Sequence, residues 1–208
     1  MTSTERLKTE GKRPRREGHC LVAIGASTGG PSALAELLSG LPAEFPAAVV
    51  IVQHVEARFI PSLVERLQQV CKLPVRIAEE GKKAVAGAVF VAAGDDHLVV
   101  LPGRLFAYQA EPVDSLHRPS IDVLFESASL YWRGEVIGVI LTGMGSDGAA
   151  GLKRLRTARH HTIGQDRATS VVYGMPKAAA ESGAVVEAIP LGKIAEAIVR
   201  QVRLHTLN

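Results

Sequence analysis

The sequence is short of cysteine, of aromatic residues and of long apolar runs, and each shortage narrows what the chain can be. Two cysteines occur in 208 residues, Cys20 and Cys71. Their spacing matches no metal-ligand pattern, so they read as reduced thiols of a cytoplasmic protein rather than as a bridge. No apolar run approaches ~20 residues, so nothing reads as a membrane span. The N-terminus lacks the charged-then-apolar order of a signal peptide. A basic face is missing too. The first nineteen residues hold Arg6, Lys8, Lys12, Arg13, Arg15 and Arg16 against Glu5, Glu10 and Glu17, and so carry the whole net charge of +3. The remainder is balanced, which removes the electrostatic case for nucleic acid. Residues 1–19 are polar and without apolar periodicity, and are expected to form a disordered basic tail or linker. Residues 20–208 are then one domain.

What is present is a composition rich in Ala, Val, Leu and Gly, arranged as short β-branched runs alternating with helical patterns. Strands are expected at Leu21–Gly25, Ala48–Gln53, Val75–Ala78, Ala88–Ala92, Leu98–Leu101, Leu105–Gln109, Val136–Thr142, His161–Gln165 and Ala184–Ala188. Helices are expected at Ser32–Leu41, Pro61–Cys71, Ser120–Trp132, Gly148–Thr157, Pro176–Ser182 and Leu191–Leu204. Such alternation indicates an α/β fold: a doubly wound, mostly parallel, Rossmann-like sheet with helices on both faces. Between Val75 and Gln109 short strands follow one another across Gly-Asp-Asp and Pro-Gly turns, which points to a short antiparallel or hairpin extension, or to an extension of the sheet edge, there. Ser120 is placed to cap its helix, with Asp122 in the first turn.

The most informative stretch is Leu21-Val22-Ala23-Ile24-Gly25-Ala26-Ser27-Thr28-Gly29-Gly30-Pro31. It reads as a buried strand, a tight turn and a helix with Pro31 at its first position. Gly25-Ala-Ser-Thr-Gly29 fits the G-x-S-x-G pattern, in which a sharp strand-to-helix turn exposes a serine nucleophile. A competing reading is phosphate binding, because Gly25-x-Ser27-x-x-Gly30 nearly spells the dinucleotide fingerprint. Ser27 replaces the glycine at which the backbone approaches a pyrophosphate, and the second strand ends in Gln53-His54 where a ribose-binding acid is wanted.

In an open parallel sheet, ligands sit beyond the carboxyl ends of the strands. Ser27 follows the first strand, His54 the second, and Asp147 lies in the glycine-rich turn after Val136–Leu141. That inventory serves nucleophilic acyl transfer, with histidine taking the serine proton and aspartate fixing the imidazole. Taken singly, Asp147 reads equally well as the cap of the next helix, and His54 as a strand-end histidine bonded to backbone. His97, His160 and His161 lack zinc-site spacing and are expected to be structural. Asp95-Asp96 reads as a turn pair.

From Val22 to about Ala188 the sequence resembles the catalytic domain of the chemotaxis receptor methylesterases, the CheB family of protein-glutamate methylesterases. The resemblance rests on Gly25-Ala-Ser-Thr-Gly-Gly-Pro31, Gln53-His54, Val89-Phe90 with Gly94 and His97-Leu98, Arg118-Pro-Ser-Ile-Asp-Val-Leu-Phe125, Leu141-Thr-Gly-Met-Gly-Ser-Asp-Gly148 and Gly174-Met-Pro176. It implies a cytoplasmic hydrolase that removes methyl groups from glutamyl methyl esters on the cytoplasmic helices of methylated transmembrane chemoreceptors. Deamidation of receptor glutamines is implied as a second activity. Carried over by motif, Ser27 is the nucleophile, His54 the base and then acid, and Asp147 the orienting carboxylate. The backbone N–H groups of Thr28 and Met144 form the oxyanion hole. The resemblance implies no metal, no organic cofactor and no membrane insertion. Nothing in the sequence specifies an oligomeric state.

The chain departs from the family pattern at Val55-Glu56-Ala57-Arg58-Phe59-Ile60, where Met-Pro-Pro commonly follows the histidine, and at Ala93, where a proline is usual. Family members often carry a phosphorylatable receiver domain at the N-terminus, and nineteen polar residues cannot fold into one. A stand-alone enzyme and an isolated catalytic piece are both compatible with that. The sequence leaves two other function classes open: a non-catalytic module docking on receptors or signalling proteins, and a nucleotide-binding domain.

Overall fold

The computed structural model describes residues 20–206; the expectation of a disordered tail at 1–19 lies outside them. The β-branched runs form nine strands: β1 (Cys20–Ala26), β2 (Ala47–Gln53), β3 (Val75–Ile77), β4 (Val89–Val91), β5 (His97–Leu101), β6 (Leu105–Gln109), β7 (Val136–Ile140), β8 (His161–Gln165) and β9 (Glu187–Ile189). The helices are α1 (Gly30–Ser39), α2 (Ile60–Val70), α3 (Ile121–Tyr131), α4 (Ala149–Thr157), α5 (Met175–Glu181) and α6 (Leu191–Thr206). Seven strands make one sheet in the order β3-β4-β2-β1-β7-β8-β9, and every pairing in it is parallel.

The alternation of side chains along each strand sorts the interior into two layers. Val22, Ile24, Val49, Ile51, Ile137 and Val139 face α1, α2 and α6. Leu21, Ala23, Val50, Val136 and Ile140 face α3, α4, α5 and the β5–β6 hairpin, where Leu124, Phe125, Leu152 and Phe106 are buried. Strands covered on both faces read as near-continuous apolar runs, which is how β1, β2 and β7 look in the sequence.

The hairpin expectation holds for β5 and β6, which pair antiparallel. β3 and β4 form no hairpin but extend the sheet edge, pairing in parallel. The loop between them runs across the hairpin, pinned by a bridge from Lys83 to Leu105. The last strand is Glu187–Ile189 rather than Ala184–Ala188. The chain leaving α5 turns through Gly183 at φ +66°, and the Ala184 N–H bonds back to the Ala179 carbonyl at 2.8 Å. Ala184 therefore completes the helix terminus instead of opening the strand.

Strand order reverses between β1 and β7, so the carboxyl ends of β1, β2 and β7 form one rim at the switch point. Register keeps those ends level: Ala26 pairs with Gln53, and Gly25 with both Val52 and Ile140.

Candidate active site

Ser27 leaves β1 tied on three sides. Its N–H donates to the Thr142 carbonyl at 3.0 Å, and its own carbonyl accepts from Gly30 N at 2.8 Å and from Gln53 Nε2 at 2.9 Å. Helix α1 starts at Gly30, one residue ahead of Pro31, behind Gly29 at φ +81°. The sharp turn therefore places its left-handed residue on Gly29. Ser27 is outside that region, since the non-glycine residues with positive φ among those described are Arg104 and Arg159. Two consecutive glycines after Thr28 let the chain turn sharply without strain at the serine. Ser27 is half-buried, and a Cβ on Gly143 would stand 2.7 Å from its own. The glycine-rich turn after β7 can lie against the serine only because it is glycine there.

His54 follows β2, and its N–H bonds the Ala26 carbonyl at 3.0 Å. Its ring Nε2 lies 2.8 Å from Asp147 Oδ2, and the two side chains are 10% and 8% exposed. Asp147 also accepts from Ser120 Oγ at 2.8 Å, Ile121 N at 2.7 Å, Asp122 N at 3.1 Å and Gly148 N at 3.0 Å. Burial opposes its charge, but bonds from His54, the Ile121 and Asp122 N–H groups and Ser120 outweigh it and bring its pKa down to about 2. An ionised carboxylate is acceptor-only, so Nε2 must carry the ring proton. The Nδ1 lone pair is left able to accept a proton, and that atom is buried without a hydrogen-bond partner among the described residues.

Asp147 is thus a helix cap as well, but of α3, not of the helix that follows it. Ser120 occupies the cap position of α3 yet makes no capping bond with its hydroxyl. Its Oγ–H is spent on the carboxylate, which is the stronger acceptor for the first N–H groups of α3. Asp122 returns the arrangement: its Oδ1 accepts from Gly151 N in α4 at 2.6 Å. Burial raises the Asp122 pKa, with the Gly151 bond working the other way.

Thr28 follows Ser27 in the first turn, and Met144 follows Gly143, which lies against Ser27, in the second. Thr142 Oγ1 donates to the Thr28 carbonyl at 2.9 Å, while Gly143 accepts from Gly174 N and Met175 N. The Thr28 and Gly143 carbonyls are thus occupied. Among the described residues the N–H groups of Thr28 and Met144 donate to no protein acceptor, as donors reserved for a ligand oxygen would.

The family model described as CheB methylesterase matches residues 22–198. The chain belongs to the CheB methylesterase family. It is 53% identical over 186 residues to a protein-glutamate methylesterase/protein-glutamine glutaminase of Mesorhizobium japonicum, which covers 89% of this chain and 54% of that one. It is 57% identical over 179 residues to one from Cupriavidus metallidurans, covering 86% and 53% respectively. The chain thus spans about half the length of these curated relatives. Among solved structures it matches the CheB methylesterase catalytic domain of Thermotoga maritima with a TM-score of 0.85 and 36% identity, over 89% of this chain and 99% of that one. Fold class and family membership both follow.

Several residues make contacts here that the sequence pattern does not foretell. Gln53 joins the two strand ends, its Nε2 donating to the carbonyls of Ser27 and His54. His97, fully buried, accepts from Ser120 N at Nδ1 and donates from Nε2 to the Pro112 carbonyl, stapling the loop that precedes α3. His117, on that loop, stacks on His54 with ring centroids 4.1 Å apart and planes 14° from parallel. Spacing gave no pointer to it, although it directly precedes the Arg118–Phe125 motif. The departing loop at Val55–Ile60 packs against the residue after Ala93: a Cβ on Gly94 would lie 2.7 Å from Ala57. Among the described residues no group of three or more His, Cys, Asp or Glu side chains gathers as a metal site. No helix there is long and apolar enough to cross a membrane.

Proposed function

We propose that the chain hydrolyses glutamyl methyl esters on the cytoplasmic helices of methylated chemoreceptors, with Ser27 as nucleophile, His54 as general base and then acid, and Asp147 as the orienting carboxylate. The observation that carries this reading is the 2.8 Å bond from His54 Nε2 to an Asp147 carboxylate already fixed by four other donors, with Nδ1 left unpaired on the same ring.

Ser27 Oγ attacks the ester carbonyl as its proton passes to His54 Nδ1. The negative oxygen that forms is held by the N–H groups of Thr28 and Met144. Collapse of this intermediate breaks the C–O bond, and the imidazolium returns the proton to the leaving methoxide. Methanol departs and leaves an acyl-serine. Water, deprotonated by the same Nδ1, then releases the glutamate and restores Ser27. A glutamine amide follows the same course with ammonia as leaving group, and the relatives' names support that second activity. The reaction is placed in the cytoplasm, where Cys20 stays a thiol; burial pushes its pKa up to about 11, which makes it inert.

The test is methanol release from methylated receptor membranes. Wild type should release methanol and Ser27→Ala should not, with both folded. Equal release by the two proteins overturns the reading. The nucleotide-binding alternative gains nothing from the site, because Gln53 and His54 are both committed to Ser27 and Asp147.

A further inference from the structure

We infer that His117 is a positioning residue for the hydrolysis proposed above: its ring clamps the plane of His54, keeping Nε2 on Asp147 and Nδ1 free to take the Ser27 proton. The inference rests on that reading of the site.

A ring held by one hydrogen bond at one corner can still rotate about that bond. His54 is in this position, because its Nε2 bond to Asp147 is made and its Nδ1 has no partner. What fixes the plane is contact with a ring face, and His117 supplies it at 4.1 Å and 14°. The position of His117 is itself determined. Its carbonyl accepts from Ser115 Oγ at 2.9 Å, and the neighbouring Arg118 guanidinium lies 3.9 Å from Asp96 and donates to the Val113 carbonyl. His97 holds both flanks of the loop, at Pro112 and at Ser120.

Charge suits the role. Burial lowers the His117 pKa, and so does the repulsion of a protonated His54, with the Asp147 carboxylate acting against them. His117 therefore resists taking up a positive charge of its own beside that ring. When His54 becomes imidazolium during acyl transfer, the neutral ring offers it a π face instead of a second positive charge.

The experiment compares wild type, His117→Ala and His117→Phe by kcat and KM for methanol release, by the rate at which a fluorophosphonate labels Ser27, and by thermal unfolding. His117→Ala should lose about three- to tenfold in kcat and in labelling rate, the range a ring–ring contact supplies, while KM changes less than about twofold. His117→Phe, which keeps the π face, should recover both rates to within about twofold of wild type. If alanine loosens the loop, His117→Leu fills the volume without a π face and should show the same loss. Wild-type rates in His117→Ala or His117→Leu overturn the inference, and so does a phenylalanine variant as slow as alanine. A wild type that neither labels at Ser27 nor releases methanol overturns the hydrolase reading, and this inference with it.

Discussion

Asp147 answers five donors with two oxygens, and most of what the site does depends on its staying ionised. Asp147→Asn keeps the shape but gives His54 an amide to face. The favoured tautomer then puts the proton on Nδ1, and kcat for methanol release should fall by about 10⁴, the size of effect seen when the orienting acid of a serine protease is changed in this way. The same carboxylate links stability to pH. Its folded pKa of about 2 lies below its ordinary 3.8. Between those values the unfolded chain takes up a proton that the folded chain refuses, so stability drops as pH falls through that window. Roughly 2 kcal/mol, full above about pH 4, should be lost by about pH 2 in wild type and not in Asp147→Asn. Denaturant titrations of the two proteins across that range measure the difference. The sequence shows Asp147 plainly as a candidate, because it sits in a glycine turn past a strand. It does not show that the residue caps α3, since a cap is sought just ahead of its own helix. His117 is hidden for a related reason: a ring contact between two distant loops leaves no periodic trace.

Helices α3 and α4 are locked together at their N-termini, with Asp147 ahead of α4 bonding α3 and Asp122 inside α3 bonding α4. The lock requires the two backbones to come close at Gly151, where a Cβ would stand 2.7 Å from the Asp122 carbonyl oxygen and from Phe125 Cβ. Gly151→Ala therefore sets two effects against each other. Helix propensity favours alanine by up to ~1 kcal/mol, whereas forcing a methyl into this contact costs about 1–3 kcal/mol. The clash should win, lowering the urea midpoint and, by moving Asp122 and the α3 terminus, lowering kcat. A stabilised Gly151→Ala contradicts the close approach. At this scale the sequence is informative about where elements lie, since apolar periodicity and β-branched runs place each of them to within a few residues. It is less informative where a terminus is decided by a partner, as at Ala184, whose N–H returns to Ala179. The hairpin was legible from its Pro-Gly turn; the parallel pairing of β3 with β4 was not, because three-residue strands carry no directional signal.

The whole molecule is a device for ending three strands on one level. Parallel pairing in register brings Ala26 and Gln53 side by side and sets Gly25 against Ile140, so the residues that follow meet on one rim although they come from distant parts of the chain. The alternation of strand and helix in the sequence makes that rim legible, and the order Ser27, His54, Asp147 along the chain is immaterial once the sheet has formed. The central claim is that these three side chains act as one unit. The most direct test is kcat/KM for methanol release by Ser27→Ala, His54→Ala and the double variant. The double variant should be no slower than the slower of the two single variants, because either change already disables the unit. Losses that multiply in the double variant would contradict it, since they would mean that Ser27 and His54 contribute independently.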